Sequence, residues 1–292
     1  HTNRVRCMEA SCRAVEDHMQ RIGFPGHAEG DRGVIRLTWE IKGTPSVEIL
    51  LIGGREEDGE KLKAACGWKN TTVRVLDDSG NRYAAMNRAA EASRADVLLF
   101  LDRSVSGMQE NTVREMLMYA QRPDVGGVTA ALTDRRGRIT HAGYAFGADF
   151  PGFAVCRQAF LRLQAGGWHI LARQAHNVGA LSAACIMVRR DHFLPFDETY
   201  TGGLGSVDWS IRMLQKGFVH VYTPHGSMLC ENRPLLLLES GADENKEENR
   251  MKDVWKDFRD PCYSPCLSTK GNFRLDPDRA RRSTEEIQTG RE

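Results

Sequence analysis

The sequence predicts an α/β fold, a mostly parallel twisted sheet flanked by helices. Three observations point to it. Apolar runs of strand length, Val47–Ile52, Thr71–Leu76, 97–101 and 125–132, recur through the first half of the chain. Segments of helical spacing separate them, and this βαβαβαβ order suits parallel pairing, which needs a crossover between neighbouring strands. The first three runs end in Gly53-Gly54, Asp77-Asp78 and Asp102. Ligands of such sheets sit at the carboxyl ends of the strands.

Taken in order, residues 5–22 read as a helix with Val15, Met19 and Ile22 on its apolar face and Gly23 as its stop. Pro25, Gly26, Gly30, Gly33, Gly43 and Pro45 punctuate 24–46, leaving 34–39 as an edge strand. Val47–Ile52 is a buried strand. Helix 56–66, strand Thr71–Leu76, helix 83–92, strand 97–101, helix 109–120 (closed by Pro123) and strand 125–132 follow. In the second half, 177–189 reads as one strand and 207–216 as a helix with Val207, Ile211 and Leu214 facing inward and Gly217 ending it. A strand at 218–222 is stopped by Pro224, and 245–258 is a charged helix. The tail from Asp276 is rich in Arg and Glu and poor in apolar side chains, which predicts disorder. The chain thus divides into a lead-in at 1–45, a main domain at 46–235, a helix and extension at 236–275, and a tail at 276–292.

The chain has 292 residues, 41% hydrophobic and 27% charged, the composition of a globular protein with length enough to bury a core. Forty basic against 39 acidic side chains leave a net charge of +1, which argues against a nucleic-acid partner. The longest apolar runs, 97–101 and 235–238, fall far short of the ~18 residues of a membrane span. The first residue is His1 and no signal-peptide pattern follows, so the chain is open to being a fragment or a processed piece. Its eight cysteines include no CxxC pair. They read as free thiols of a reducing compartment, with a cysteine-based metal or redox protein as an alternative.

The wording of several segments carries a resemblance. Val97-Leu98-Leu99-Phe100-Leu101-Asp102 has the form of a strand ending in an acidic motif. Gly137-Arg138-Ile139-Thr140-His141-Ala142-Gly143, Ala184-Cys185-Ile186-Met187-Val188-Arg189-Arg190, Phe196-Asp197-Glu198, Val207-Asp208-Trp209-Ser210-Ile211-Arg212 and Asp260-Pro261-Cys262-Tyr263-Ser264-Pro265-Cys266-Leu267-Ser268 follow in order. Together, over about residues 10–275, the chain resembles the inverting glycosyltransferases of family 2, with the GT-A fold, and among them bacterial members that build surface polysaccharide. The resemblance implies a nucleotide-sugar donor, a divalent Mn²⁺ or Mg²⁺, and a glycan or lipid-linked acceptor. It also implies work beside other glycosyltransferases, in the cytoplasm or at the inner membrane face.

Carried over residue by residue, the resemblance puts Asp102 at the metal and, with Arg103, Ser104 and Asn87, at the donor. It puts Asp208 at catalysis, and Asp197, Glu198 and Trp168 on the acceptor side. The chain departs from the pattern at four places. Ser104 stands where a second metal-binding acid is expected, Ser206 where the base is expected, and Cys230 near a metal-side histidine. One β-α unit is missing ahead of Thr71–Leu76. Serine is a poorer ligand for a hard cation than carboxylate, and a thiol is a soft one. Arg103 can supply charge against a diphosphate instead. Two readings therefore stand: an active transferase with Asp208 as substitute base, or a catalytically impaired homologue acting as a binding or scaffold module. Among the same residues, Asp208 can equally support its helix, His141 reads as a hydrogen-bonded strand-end residue, and Asp77-Asp78-Ser79-Gly80 as a turn.

Overall fold

The computed structural model describes residues 2–31, 34–231, 244–270 and 273–288. Helix α1 (Thr2–Arg21) leads into a hairpin of β1 (Gly26–Asp31) and β2 (Val34–Trp39), which form a two-stranded sheet of their own. There follow β3 (Val47–Ile52), α2 (Glu56–Ala65), β4 (Thr71–Leu76), α3 (Arg82–Ala92), β5 (Val97–Asp102), β6 (Val105–Ser106), α4 (Thr112–Ala120) and β7 (Val125–Thr133). Three short strands, β8 (Ile139–His141), β9 (Ala145–Phe146) and β10 (Ala154–Val155), and two 3-10 turns lead to β11 (His176–Val178). The chain continues through β12 (Cys185–Arg189), α5 (Leu204–Gln215), β13 (Val219–Cys230), α6 (Glu244–Val254) and α7 (Pro277–Gln288).

The central sheet runs β11-β13-β7-β12-β5-β3-β4, with β6 on β13 and β8 on β7. It is mixed. Strand β3 pairs in parallel with β4 and β5, and β13 with β7, while β12 lies antiparallel between the two groups. The β3 and β5 side chains are almost wholly buried on both faces, as their Val, Ile, Leu and Phe runs, broken only by Glu48 in β3, require. Alternation sorts them. Leu50, Ile52, Leu98 and Phe100 share a cluster with Tyr83 and Met86 of α3, Trp209 of α5, Met251 of α6 and Trp255 of the turn after it. Ile49, Leu51, Leu99 and Leu101 meet α2 and α4 and the end of α1 through Leu62, Met116, Leu117 and Met19. The 1–45 lead-in therefore packs into the same core as the main sheet: Trp39 stands edge-on to Phe24 and belongs to the second cluster.

Three expectations are corrected. The 177–189 strand is two, β11 and β12, in different places in the sheet. The break falls at Ser182, whose backbone carbonyl and hydroxyl accept from Cys185 and Ala184 and turn the chain. Pro224 does not stop the last strand. Strand β13 continues to Cys230 across a shift in register between Thr223 and Met228, the kind of irregularity where a strand tolerates a residue without an N–H. The tail is not disordered through 277–288: Asp276 caps α7 by accepting from the backbone of Asp278 and Arg279, Pro277 opens the helix, and Arg279 pairs with Asp149. Ahead of β5 the sheet holds only β3 and β4 among the described residues. The 235–238 run and the 235/236 boundary lie outside the described residues.

Candidate functional site at the carboxyl edge of the parallel strands

Register brings the strand ends to one level. Ile52 pairs with both Leu76 and Asp102, so Gly53, Asp77 and Arg103 step off the sheet side by side. Gly53 donates to the Leu76 carbonyl and holds φ at +71°, and a Cβ there would collide with the Asp78 carboxylate. Only glycine fits both conditions. Asp77 accepts from the backbone and hydroxyl of Ser79 at 2.9 and 2.8 Å, the expected turn.

Asp102 is 8% exposed. Its N–H bonds the Ala184 carbonyl and the next N–H, of Arg103, bonds Ile52, so the carboxylate has a fixed origin. One oxygen, Oδ1, accepts from the Ser104 N–H at 2.9 Å and the Ser104 hydroxyl at 2.6 Å. The other, Oδ2, is held by the guanidinium of Arg82. Burial alone would raise the carboxyl pKa. The Ser104 bonds, and then Arg82, outweigh it and hold Asp102 below the usual carboxylate range. The Ser104 hydroxyl also lies 3.6 Å from the Cys230 thiol at the end of β13, which is fully buried. The structure thus brings together Asp102, Ser104 and Cys230, although 126 residues separate the last two. Arg103 is exposed on the same rim.

Helix α3 ties this rim to the 196–202 segment. Asn81 caps the helix on the Ala84 N–H and donates to the carbonyls of Glu198 and Tyr200 at 2.6 and 3.1 Å. Tyr83 donates to the Gly202 carbonyl at 2.8 Å. Asn87 donates to the Phe196 carbonyl and to Glu198 Oε1, both at 2.9 Å, and accepts from the Phe196 N–H. Asp197 is turned onto Thr199 and paired with Arg250 at 2.7 Å. Asn87, Asp197 and Glu198 therefore share one neighbourhood, and Glu198 is exposed to solvent there. Trp168 opens the 3-10 turn Trp168–Arg173, which Tyr222 of β13 anchors by donating to the Ala172 carbonyl, and its side chain lies outside the described ones.

Asp208 lies inside α5, 4% exposed, with both oxygens committed. Oδ1 accepts from the Trp255 indole at 3.0 Å and Oδ2 from Arg212 at 2.8 Å, while Arg212 also reaches the Pro195 carbonyl. The residue joins α5 to the turn that follows α6. Ser206 is fully buried and bonds the Gly203 carbonyl within the first turn of the helix. His141 is also fully buried. Burial pushes its pKa down to about 3, so the ring is neutral, tilted against Tyr144 with centroids 4.6 Å apart, and accepts from the Gly143 N–H at 3.4 Å.

A divalent cation fits these residues poorly. Hard cations take several oxygen ligands. Here the sole carboxylate of the Asp102 cluster is ion-paired, and its neighbours are a hydroxyl and a thiol. Among the described residues no group of three or more His, Cys, Asp and Glu side chains is placed to hold a metal.

Sequence reasoning missed two features. Arg82, the partner of Asp102, precedes a helix core and looks like an ordinary solvated residue. The second is a cavity of about 540 Å³ between β2, the end of α4 and the β11–β13 edge, lined among others by Arg36, Trp39, Tyr119, Arg173 and His225. Arg36 pairs with Glu115 at 2.6 Å. The available signal was Arg36 itself, a cation in the middle of an apolar strand.

No protein-family model matches the chain. It is similar to the uncharacterized protein y4gI of Sinorhizobium fredii, 27% identical over 90% of this chain and 34% of that one. It is similar to the O-antigen biosynthesis protein RfbC of Myxococcus xanthus, 24% identical over 92% of this chain and 23% of that one. The chain thus spans about a third of the length of the first relative and less than a quarter of the second. Among solved structures it superposes on GalNAc-T7 with UDP, GalNAc and Mn²⁺, at a TM-score of 0.51 and 13% identity, over 74% of this chain and 49% of that one. It also matches the mannosyltransferase PcManGT of Pyrobaculum calidifontis with GDP-Man and Mn²⁺, at 0.47 and 10% identity, over 97% and 85%.

Proposed function

We propose, for a chain that carries the GT-A glycosyltransferase fold, that it transfers a sugar from a nucleotide-sugar donor to a glycan or lipid-linked acceptor in the assembly of a surface polysaccharide. One observation carries the reading. Asp102 and Ser104, which the resemblance puts at the donor, and Cys230, which it puts near a metal-side histidine, meet at the carboxyl edge of the parallel strands, where α/β sheets bind ligands. The similarity to an O-antigen biosynthesis protein supports the substrate class. The superposition on GalNAc-T7 supports the fold on which the site is built.

In this reading Asp102, Arg103 and Ser104 face the donor diphosphate. Asn87 positions the 196–198 turn, so that Asp197 and Glu198 form the acceptor rim with the Trp168 segment beyond it. Glu198 is the water-facing carboxylate of that rim and the group placed to take the acceptor proton. Asp208 serves the fold, since both its oxygens are spent on Trp255 and Arg212. The chain works beside other glycosyltransferases at the inner membrane face. No helix among the described residues is long and apolar enough to cross a membrane. A direct test incubates the chain with UDP- and GDP-sugars and fragments of surface glycan. Release of free nucleoside diphosphate together with a lengthened glycan supports the reading. Absence of both, with no nucleotide binding, refutes it.

A further inference from the structure

We propose that the guanidinium of Arg82 stands in for a divalent cation at this edge, so that a nucleoside diphosphate binds here without metal. The inference rests on the donor-site reading above and names how the charge of the diphosphate is met.

Three observations support it. First, Arg82 occupies the carboxylate that a cation would need: its Nη2 is on Asp102 Oδ2, and Ser104 takes the opposite oxygen twice. Second, the acids at the ends of β4 and β5 are engaged within the fold. Asp77 is turned onto Ser79, Asp78 is packed over Gly53, and Asp102 is ion-paired. Third, Arg82 has donor capacity left. Its side chain is 11% exposed, and its Nε is buried without a hydrogen-bond partner. A guanidinium has five N–H donors and Asp102 engages only Nη2, so donors remain for a phosphate oxygen at the exposed part of the side chain. A guanidinium presents several N–H groups in a planar fork that matches phosphate, and it keeps its charge at any working pH. Asp102 then acts as a positioning residue that holds Arg82 at the strand ends, and Arg103 adds a second guanidinium one residue further along the rim.

The test is calorimetric titration of the chain with UDP and with GDP, once in excess EDTA and once in millimolar Mn²⁺. The expected result is an affinity for one of them that is equal within twofold in both buffers. Arg82→Gln is expected to weaken it at least tenfold in EDTA, about 1.4 kcal/mol. Binding at least tenfold tighter in Mn²⁺ than in EDTA overturns the inference while leaving the donor-site reading intact, as does Arg82→Gln binding unchanged in EDTA. No binding of either nucleotide in either buffer overturns both. If Arg82→Gln does not fold, the parent chain still decides the matter. Its Mn²⁺ electron paramagnetic resonance spectrum without nucleotide is expected to show only free ion, and stoichiometric bound Mn²⁺ overturns the inference.

Discussion

Replacing Asp208 by alanine tests whether that carboxylate is a clamp within the fold. Two partners lose their acceptor. The Trp255 indole N–H is left buried and unpaired, which costs about 1–3 kcal/mol. Arg212 loses its ion pair. A fully buried pair broken on one side costs about 3–5 kcal/mol. Arg212 is 28% exposed and keeps its bond to Pro195, so the smaller figure of about 1–2 kcal/mol is appropriate. The total is about 3 kcal/mol. Asp208→Asn keeps an oxygen for Trp255 and loses only the charge, so about 1–2 kcal/mol is expected. Urea unfolding followed by tryptophan fluorescence should rank the midpoints parent, Asn, Ala, with folded Asp208→Asn retaining sugar transfer. An Asp208→Ala midpoint equal to the parent's would refute the clamp. Loss of transfer in a folded Asp208→Asn protein would return Asp208 to the role of base.

Other consequences follow from the same geometry. Gly53→Ala meets both a left-handed φ and the Asp78 carboxylate, so it should cost about 1–3 kcal/mol, and Asp78→Ala in the same chain should recover only the steric part, read from thermal midpoints. Leu99→Ala, in the fully buried centre of β5, should cost about 2–5 kcal/mol by denaturant unfolding. The buried histidines set a pH window. Burial lowers His141 to about 3 and His220 to about 4, so between there and the ordinary value near 6.5 the unfolded chain binds more protons. Their contribution to stability is whole above pH 6.5 and is lost as pH falls toward 4. His220→Gln should flatten the slope of urea midpoint against pH in that window, and an unchanged slope would contradict the assignment.

Much of this was legible in the chain because it is local. The β3 and β5 runs are apolar but for Glu48 and the terminal Asp102, and their ends at Gly53 and Asp102 mark the edge without reference to anything distant. What the sequence hid is long-range pairing. Nothing near Asp102 announces that Arg82, twenty residues back, will take its charge, and nothing near Asp208 announces Trp255, supplied by the turn after α6. The same blindness explains the errors of extent. Pro224 reads as a stop because the register shift that accommodates it is made with β7, nearly a hundred residues earlier. The arginine-rich tail reads as solvated because Asp149, the partner of Arg279, lies far up the chain. Residues 177–189 read as one strand because composition does not reveal that Val178 pairs with β13 and Cys185 with β5.

The central claim is that nucleotide binds at the carboxyl ends of β3, β4 and β5, and photolabelling with an azido-uridine or azido-guanosine diphosphate, mapped by peptide mass spectrometry, addresses it most directly. The account predicts adducts confined to 53–58, 77–82 and 102–104 that are suppressed by unlabelled nucleotide. Competable adducts on 34–39 or 173–177 instead, around the arginine-lined cavity at the β11–β13 edge, would contradict it.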